Sequence, residues 1–146
     1  MREIKGSIWR YHEKGYWIVI PTNGFVRKNG KAVMGRGLAY QAMCRFPVLP
    51  KALGDIITKF GNRVCSYHKL KLIFFPVKYK WWERANLDLI EKSCEQLRMY
   101  VTTTKPLPVY LPRVGCGNGK LKWEDVKPIL EKYLDEDKFV ICDWSD

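Results

Sequence analysis

LKLIFFPVKYKWWERANLDLIEKSCEQLRMYV, residues 70–101, decides the fold class. Its first part, LKLIFFPV (70–77), is apolar almost without interruption. That length, with its paired aromatics, predicts a strand buried on both faces. A loop of aromatics and cations, KYKWWER (78–84), follows. Asn86 then stands where it can cap a helix, and Leu87, Ile90, Cys94, Leu97 and Val101 form one apolar stripe, so the spacing predicts a helix over 86–101. A buried strand running into an amphipathic helix is the unit of a parallel sheet covered by helices.

The pattern repeats downstream. Pro106–Val114 (PLPVYLPRV) reads as a short strand interrupted by prolines, Gly115–Gly119 (GCGNG) as a glycine loop, and Trp123–Leu134 as a helix with Val126, Ile129, Leu130, Tyr133 and Leu134 facing inward. Lys138–Trp144 closes the chain as a strand. Upstream, Ile4–Trp9 and Tyr16–Ile20 read as strands with a turn at His12–Gly15, and Pro21–Gly24 is a turn signal. Residues 24–33 read as a loop. A helix is expected from Met34, with Leu38, Ala42 and Phe46 at helical spacing and Pro47 as its stop. A second helix is expected over Leu49–Phe60, closed by Gly61-Asn62. The order β-β-α-α-β-α-β-α-β implies an α/β chain with a mixed, largely parallel sheet between two helical layers. No repeat or linker divides it, so residues 1–146 are expected to form one domain.

The chain has 146 residues, 47% apolar and 28% charged, the balance of a globular protein. At that size it can bury about two-thirds of its surface without disulfides or metal. No apolar run reaches membrane-spanning length, and neither a secretion signal nor a lipidation motif is evident, which points to a cytoplasmic protein with no membrane partner. The cysteines at 44, 65, 94, 116 and 142 are too far apart for a metal knuckle, and His12 and His68 are the only histidines. No metal and no cofactor is expected. Net charge is +11, unevenly spread: residues 124–146 carry −5, leaving +16 on residues 1–123. An excess of that sign suggests a polyanionic partner such as nucleic acid, or phosphorylated ligands; plain solvation of the surface would use many of the same lysines.

In sheets of this kind ligands sit beyond the carboxyl ends of the strands. Three loops fall there: 21–37, 78–84 and 115–120. Gly35-Arg36-Gly37 opens a helix, where free amides can hold a phosphate; Tyr40 excludes a dinucleotide fingerprint, and a tight turn is the alternative. Gly115-Cys116-Gly117-Asn118-Gly119 has more glycine than a turn requires and suits a backbone nest for a diphosphate. It is no Walker A loop, since Val114 and Leu121 occupy the positions of its first glycine and its Ser/Thr. Cys116 has no histidine placed to activate it and reads as a small buried thiol. Lys78, at the mouth of an apolar strand near Lys80 and Arg84, is a candidate for a depressed pKa and hence a nucleophilic amine; a snorkelling or phosphate-binding lysine is the competing reading. Trp81 and Trp82 suit stacking on a base or covering the core edge.

PTNG (21–24), AVMGRGLAYQAMCRFP (32–47), FFPVK-x-x-W (74–81) and LPRVGCGNGKLKWEDV (111–126) together resemble the macrodomain family. Within it they are most similar to the ADP-ribosyl glycohydrolase branch that contains the DarG antitoxin, over about residues 4–140. The resemblance implies a three-layer α/β/α fold that binds ADP-ribose. Carried over by position, it implies that Ser7 and Ile8 lie at the adenine end and that Asn23 approaches the distal ribose. Met34, Gly35, Arg36 and Gly37 would form one phosphate loop; Val114, Gly115, Cys116, Gly117, Asn118 and Gly119 would form the other. Lys78 would take part in breaking the glycosidic bond, with Asn23 as its catalytic neighbour. Two departures stand out. Residues 26–31 (VRKNGK) look inserted, and Gly119 stands where related glycohydrolases carry an acid, with Asp55 and Glu83 the only acids near these segments. The larger antitoxins also carry a second domain.

The functional expectation is removal of ADP-ribose from a modified acceptor, with nucleic acid as the acceptor suggested by the charge. Alternatives are a phosphatase acting on ADP-ribose 1″-phosphate, a non-catalytic module that binds ADP-ribose or a related nucleotide signal, and plain nucleic-acid binding.

Overall fold

A computed structural model describes residues 1–104 and 108–143. The elements are β1 (Arg2–Lys5), α1 (Ile8–Glu13), β2 (Trp17–Asn23), α2 (Gly37–Arg45), α3 (Leu49–Phe60), β3 (Cys65–Tyr67), β4 (Leu72–Lys78), α4 (Leu87–Thr104), β5 (Val109–Pro112), α5 (Trp123–Leu134) and β6 (Phe139–Asp143). The strands form one six-stranded sheet in the order β1-β6-β5-β2-β4-β3. Every neighbouring pair is parallel except β3 with β4.

Alternation along the strands builds a core on each face. Val19, Ile73 and Phe75 point to one side with Ile90, Cys94 and Leu97 of α4 and Val126, Leu130 and Leu134 of α5. Ile18, Ile20, Leu72 and Phe74 point to the other, with Ile8 and Trp9 of α1, Ala42 of α2 and Leu49 and Leu53 of α3. Burial on both faces is why the 72–77 run is continuously apolar rather than alternating. The result is the expected three-layer α/β/α sandwich.

Local details differ from the sequence expectations. Ile4–Trp9 is not one strand: β1 ends at Lys5, Gly6 adopts φ +129°, and Ser7 accepts a hydrogen bond from the Trp9 amide at 3.3 Å. That cap starts α1, which runs through the expected turn at 12–15 as far as Glu13. β1 pairs with β6, so β1 and β2 form no hairpin. Pro21 and Asn23 belong to β2 rather than to a turn; Pro21 lies past the part of β2 that pairs with β5, where a missing N–H is tolerated. Helix α2 begins at Gly37, not Met34, because residues 33–36 form the irregular loop that feeds it, with Arg36 extended at φ −146°. Strand β5 ends at Pro112, before the expected Val114, and residues 106–107 and 144 of the expected strands lie outside the described residues. Strand β3 was not anticipated; it is a three-residue edge strand of only partly buried residues, too short to leave a pattern.

Because Ser7 supplies the only side-chain cap of a six-residue helix, Ser7→Ala is expected to lower stability by about 1 kcal/mol in urea unfolding.

Candidate functional site

The carboxyl ends of β2, β4 and β5 open into a cleft of about 990 Å³. That is within the range of about 300–1,000 Å³ that holds a drug- or cofactor-sized ligand. Its walls come from the three loops that the topology places at these ends.

The first wall is residues 33–39, where β2's following loop enters α2. Gly35 is exposed, and a side chain built on it would meet nothing within 4 Å. No side chain caps α2. Its first amides are therefore available to an anion in the cleft. The second wall is residues 115–121, closed on itself by hydrogen bonds from the Leu121 amide to the Gly115 carbonyl (3.0 Å) and from the Lys120 amide to the Gly117 carbonyl (3.0 Å). Gly115 (φ +77°) is buried against Ile90. Gly119 is buried too: a Cβ there would fall 2.7 Å from the Ala85 Cβ and would collide with the Gly115 carbonyl. Gly117 is the opposite case, exposed with open space around it. The loops approach each other, since a Cβ on Gly37 would lie 3.2 Å from the Asn118 Nδ2.

Lys78, the last residue of β4, stands between them. Its Nζ donates to the carbonyls of Asn118 and Trp81, each at 3.4 Å. Burial pushes its pKa below the ordinary lysine value, and the positive charges of Lys120 and Arg36 push it the same way. The carboxylates that line the cleft are engaged elsewhere. Glu83 accepts from the Lys80 amide at 2.9 Å, and Asp143 pairs with Arg113 at 3.4 Å. Arg27, Arg36, Lys78, Arg84, Arg113 and Lys120 also line it. The wall is thus strongly electropositive.

Of the residues singled out from sequence, Asn23, Met34, Gly35, Arg36, Gly37, Lys78, Gly115, Cys116, Gly117, Asn118 and Gly119 line this cleft. Ser7, Ile8 and Val114 do not; Ser7 caps α1, and Ile8 and Val114 are fully buried. The side chain of Asn23 is used structurally: its Nδ2 donates to the Val33 carbonyl and its Oδ1 accepts from the Phe25 amide, each at 3.0 Å. Cys116 lies half-buried, and burial pushes its thiol up to about 11, so it is protonated at neutral pH. His12 and His68 lie outside the cleft lining. Among the described residues no three His, Cys, Asp or Glu side chains are grouped to hold a metal ion, and no helix is long and apolar enough to cross a membrane. Sequence reasoning missed Arg27, Gln41, Arg113 and Trp123 as lining residues. Arg113 stacks on Trp123 at 5.1 Å and reaches Glu3 at 3.7 Å; only the strand order, which sets β1 beside β6 and β6 beside β5, brings Glu3 to these side chains.

No family model matches the sequence. The DNA ADP-ribosyl glycohydrolase of Thermus aquaticus is 28% identical over 133 residues, covering 84% of this chain and 37% of its own length. The chain therefore spans little more than a third of that curated relative. The macrodomain of Mycobacterium tuberculosis DarG superposes with a TM-score of 0.73 at 26% identity, covering 88% of each chain. The chain has the macrodomain fold. It is similar to the macrodomains of the DarG proteins, and the Thermosipho africanus DarTG structure in complex with ADP-ribose shares its fold, with a TM-score of 0.77 at 19% identity, over 99% of this chain and 42% of that one.

The glycines of the macrodomain's second loop divide by what surrounds them. Gly119→Ala is expected to destabilise the protein by about 1–3 kcal/mol through overpacking. Gly117→Ala, which meets open space, is expected to stay within about 0.5 kcal/mol of wild type in the same unfolding assay.

Proposed function

We propose that residues 1–146 act as a single macrodomain that binds ADP-ribose in this cleft and hydrolyses the bond joining C1″ of its distal ribose to an acceptor, with nucleic acid as the acceptor class. The observation that carries this reading is the convergence of two open backbone segments, around Gly35 and Gly117, on the amine of Lys78. The two loops offer amides to a diphosphate, the basic lining neutralises it, and the distal ribose is then oriented against Lys78. Orientation of that kind contributes several kcal/mol to catalysis. The activity of the Thermus aquaticus relative and the ligand of the Thermosipho africanus structure agree with this reading. The five free cysteines fit a reducing compartment such as the cytoplasm.

In the hydrolysis the C1″–acceptor bond breaks with its electron pair leaving on the acceptor. Water supplies a hydroxyl to C1″ and a proton to the acceptor. Both lining carboxylates are tied to other partners, so the reactive group assigned is the lysine. Its lowered pKa increases the neutral amine near physiological pH. As a nucleophile it would form a C1″–Nζ bond and lose a proton, and water would then cleave that bond. As a cation it would instead stabilise charge on the leaving group. A binding-only role has one observation in its favour: no acid can stand at Gly119, where even a Cβ collides with the Gly115 carbonyl.

Single-turnover assays on ADP-ribosylated DNA test the reading. Lys78→Ala is expected to reduce the rate at least about 100-fold, in the range of a lost acid–base or nucleophilic group, while ADP-ribose still raises the melting temperature. Tight binding with no turnover by the wild type would support the binding-only role, and the absence of any melting shift would remove both.

The pH profile separates the two roles of Lys78. A nucleophilic amine makes the rate rise with pH through a midpoint below the ordinary lysine value; a catalytic cation makes it fall through that midpoint. We expect the rise. Because Lys120 is one of the charges that lowers the Lys78 pKa, Lys120→Ala is expected to move the midpoint upward.

A further inference from the structure

The segment after β2 and the aromatic loop meet at the mouth of the cleft. Residues 26–32 form a small hairpin: Val26 bridges Ala32, the Arg27 amide donates to the Lys31 carbonyl at 2.9 Å, and the Gly30 amide donates to the Arg27 carbonyl at 2.9 Å. It is pinned to α3 by the Ala32 amide, which donates to the Pro50 carbonyl at 2.8 Å. Gly54 of α3 lies so close to it that a Cβ there would collide with the Gly30 carbonyl. The hairpin is therefore a fixed feature, with Arg27, Lys28 and Lys31 exposed on it.

Beside it stands an aromatic lip. Phe25 meets Trp82 edge-on at 5.5 Å, and Trp82 meets Trp81 edge-on at 5.4 Å. Trp81 and Trp82 are 49% and 56% exposed, so they do not serve the core. Lys80 sits over the Trp82 ring at 5.4 Å. The one carboxylate in this loop, Glu83, is turned back onto the Lys80 amide. Exposed indole faces interleaved with cations are the chemistry that holds unpaired bases and their phosphates; a duplex, whose bases are stacked within it, offers the cations its phosphates but the rings nothing.

We infer that the Trp81–Trp82 lip and the 25–32 hairpin form a platform for an unpaired nucleic-acid strand, on which nucleotides flanking the modified one stack while the ADP-ribose enters the cleft. This rests on the hydrolase reading for what enters the cleft, but the platform is a binding surface in its own right. The hairpin supplies the platform's exposed cations, Arg27, Lys28 and Lys31. It makes acceptor recognition a property of residues outside the two phosphate loops.

The test is fluorescence anisotropy with an unmodified single-stranded DNA oligonucleotide of about ten nucleotides, a size within the footprint of known stacking sites. The same sequence is measured as a duplex, as RNA, and with abasic positions that keep the phosphates but remove bases. The platform predicts a loss of about fivefold or more for Trp82→Ala and for the abasic strand, the range of one lost stacking contact. It also predicts recovery of most of that loss by Trp82→Phe, and weaker binding of the duplex than of the single strand. Lys28→Ala combined with Lys31→Ala is expected to flatten the salt dependence of oligonucleotide binding while leaving the melting shift by ADP-ribose unchanged. The RNA arm reports whether the platform distinguishes sugars, and equal or tighter RNA binding extends it to single-stranded DNA and RNA alike. Circular dichroism confirms that each variant is folded. Equal affinity for duplex and single strand, or a folded Trp82→Ala that binds like wild type, overturns the platform. If ADP-ribose gives no melting shift while the Trp82 effect persists, the hydrolase reading falls and the platform stands; the reverse pattern removes the platform alone.

Discussion

A steric constraint at Gly119 organises this molecule's functional end. The Gly119 backbone lies against the Gly115 carbonyl and the Ala85 side chain with no room for a Cβ, and its own carbonyl accepts from the Ala85 amide at 3.0 Å. The Asn86 amide in turn donates to the Val77 carbonyl at 2.9 Å. Through this chain of contacts the second glycine loop, the start of α4 and the end of β4 become one rigid unit. Its rigidity is what lets the exposed residues 117 and 118 project into the cleft while Cys116 packs against the core. It also places the Asn118 carbonyl beside the Lys78 amine. The same closeness that forbids an acid at position 119 therefore helps to position the lysine and to keep its charge partly desolvated.

The opposite side of the cleft is built by a different device. Asn23 uses both ends of its amide to tie the start of the loop after β2 to Val33. Gly24 packs against Asn62, and Asn62 donates to the Lys78 carbonyl at 3.1 Å. These short polar links replace an apolar core in a region made of loops. They leave the walls fixed but the floor and rim lined by cations. An electropositive, half-enclosed cleft suits a diphosphate ligand on an acceptor that is itself an anion.

Much of this was legible in the sequence, for identifiable reasons. The 72–77 strand and α4 were readable because burial on two faces and on one stripe leave different periodicities. The glycine loops and Lys78 were readable because strand-end position alone says where a ligand sits in this class of sheet. Most of what escaped depended on contacts distant in sequence, with α1 the exception. Helix α1 hid behind β-branched and aromatic residues, and its start depends on Ser7 and on the φ of Gly6. The edge strand β3 takes its conformation from pairing with β4. The 26–32 hairpin is held by Pro50 and Gly54 of α3, which no local pattern reveals. Glu3 reaches Arg113 and Trp123 only because β1 lies beside β6 and β6 beside β5.

Assigned amide spectra of the protein titrated with ADP-ribose test the central claim most directly. If the two loops are a backbone clamp for a sugar diphosphate, the largest and saturable shifts will fall on the amides of residues 35–39 and 116–118, with Lys78 and its neighbours following. Shifts that cluster elsewhere on the surface, or none at concentrations well above those of a specific ligand, would contradict the account.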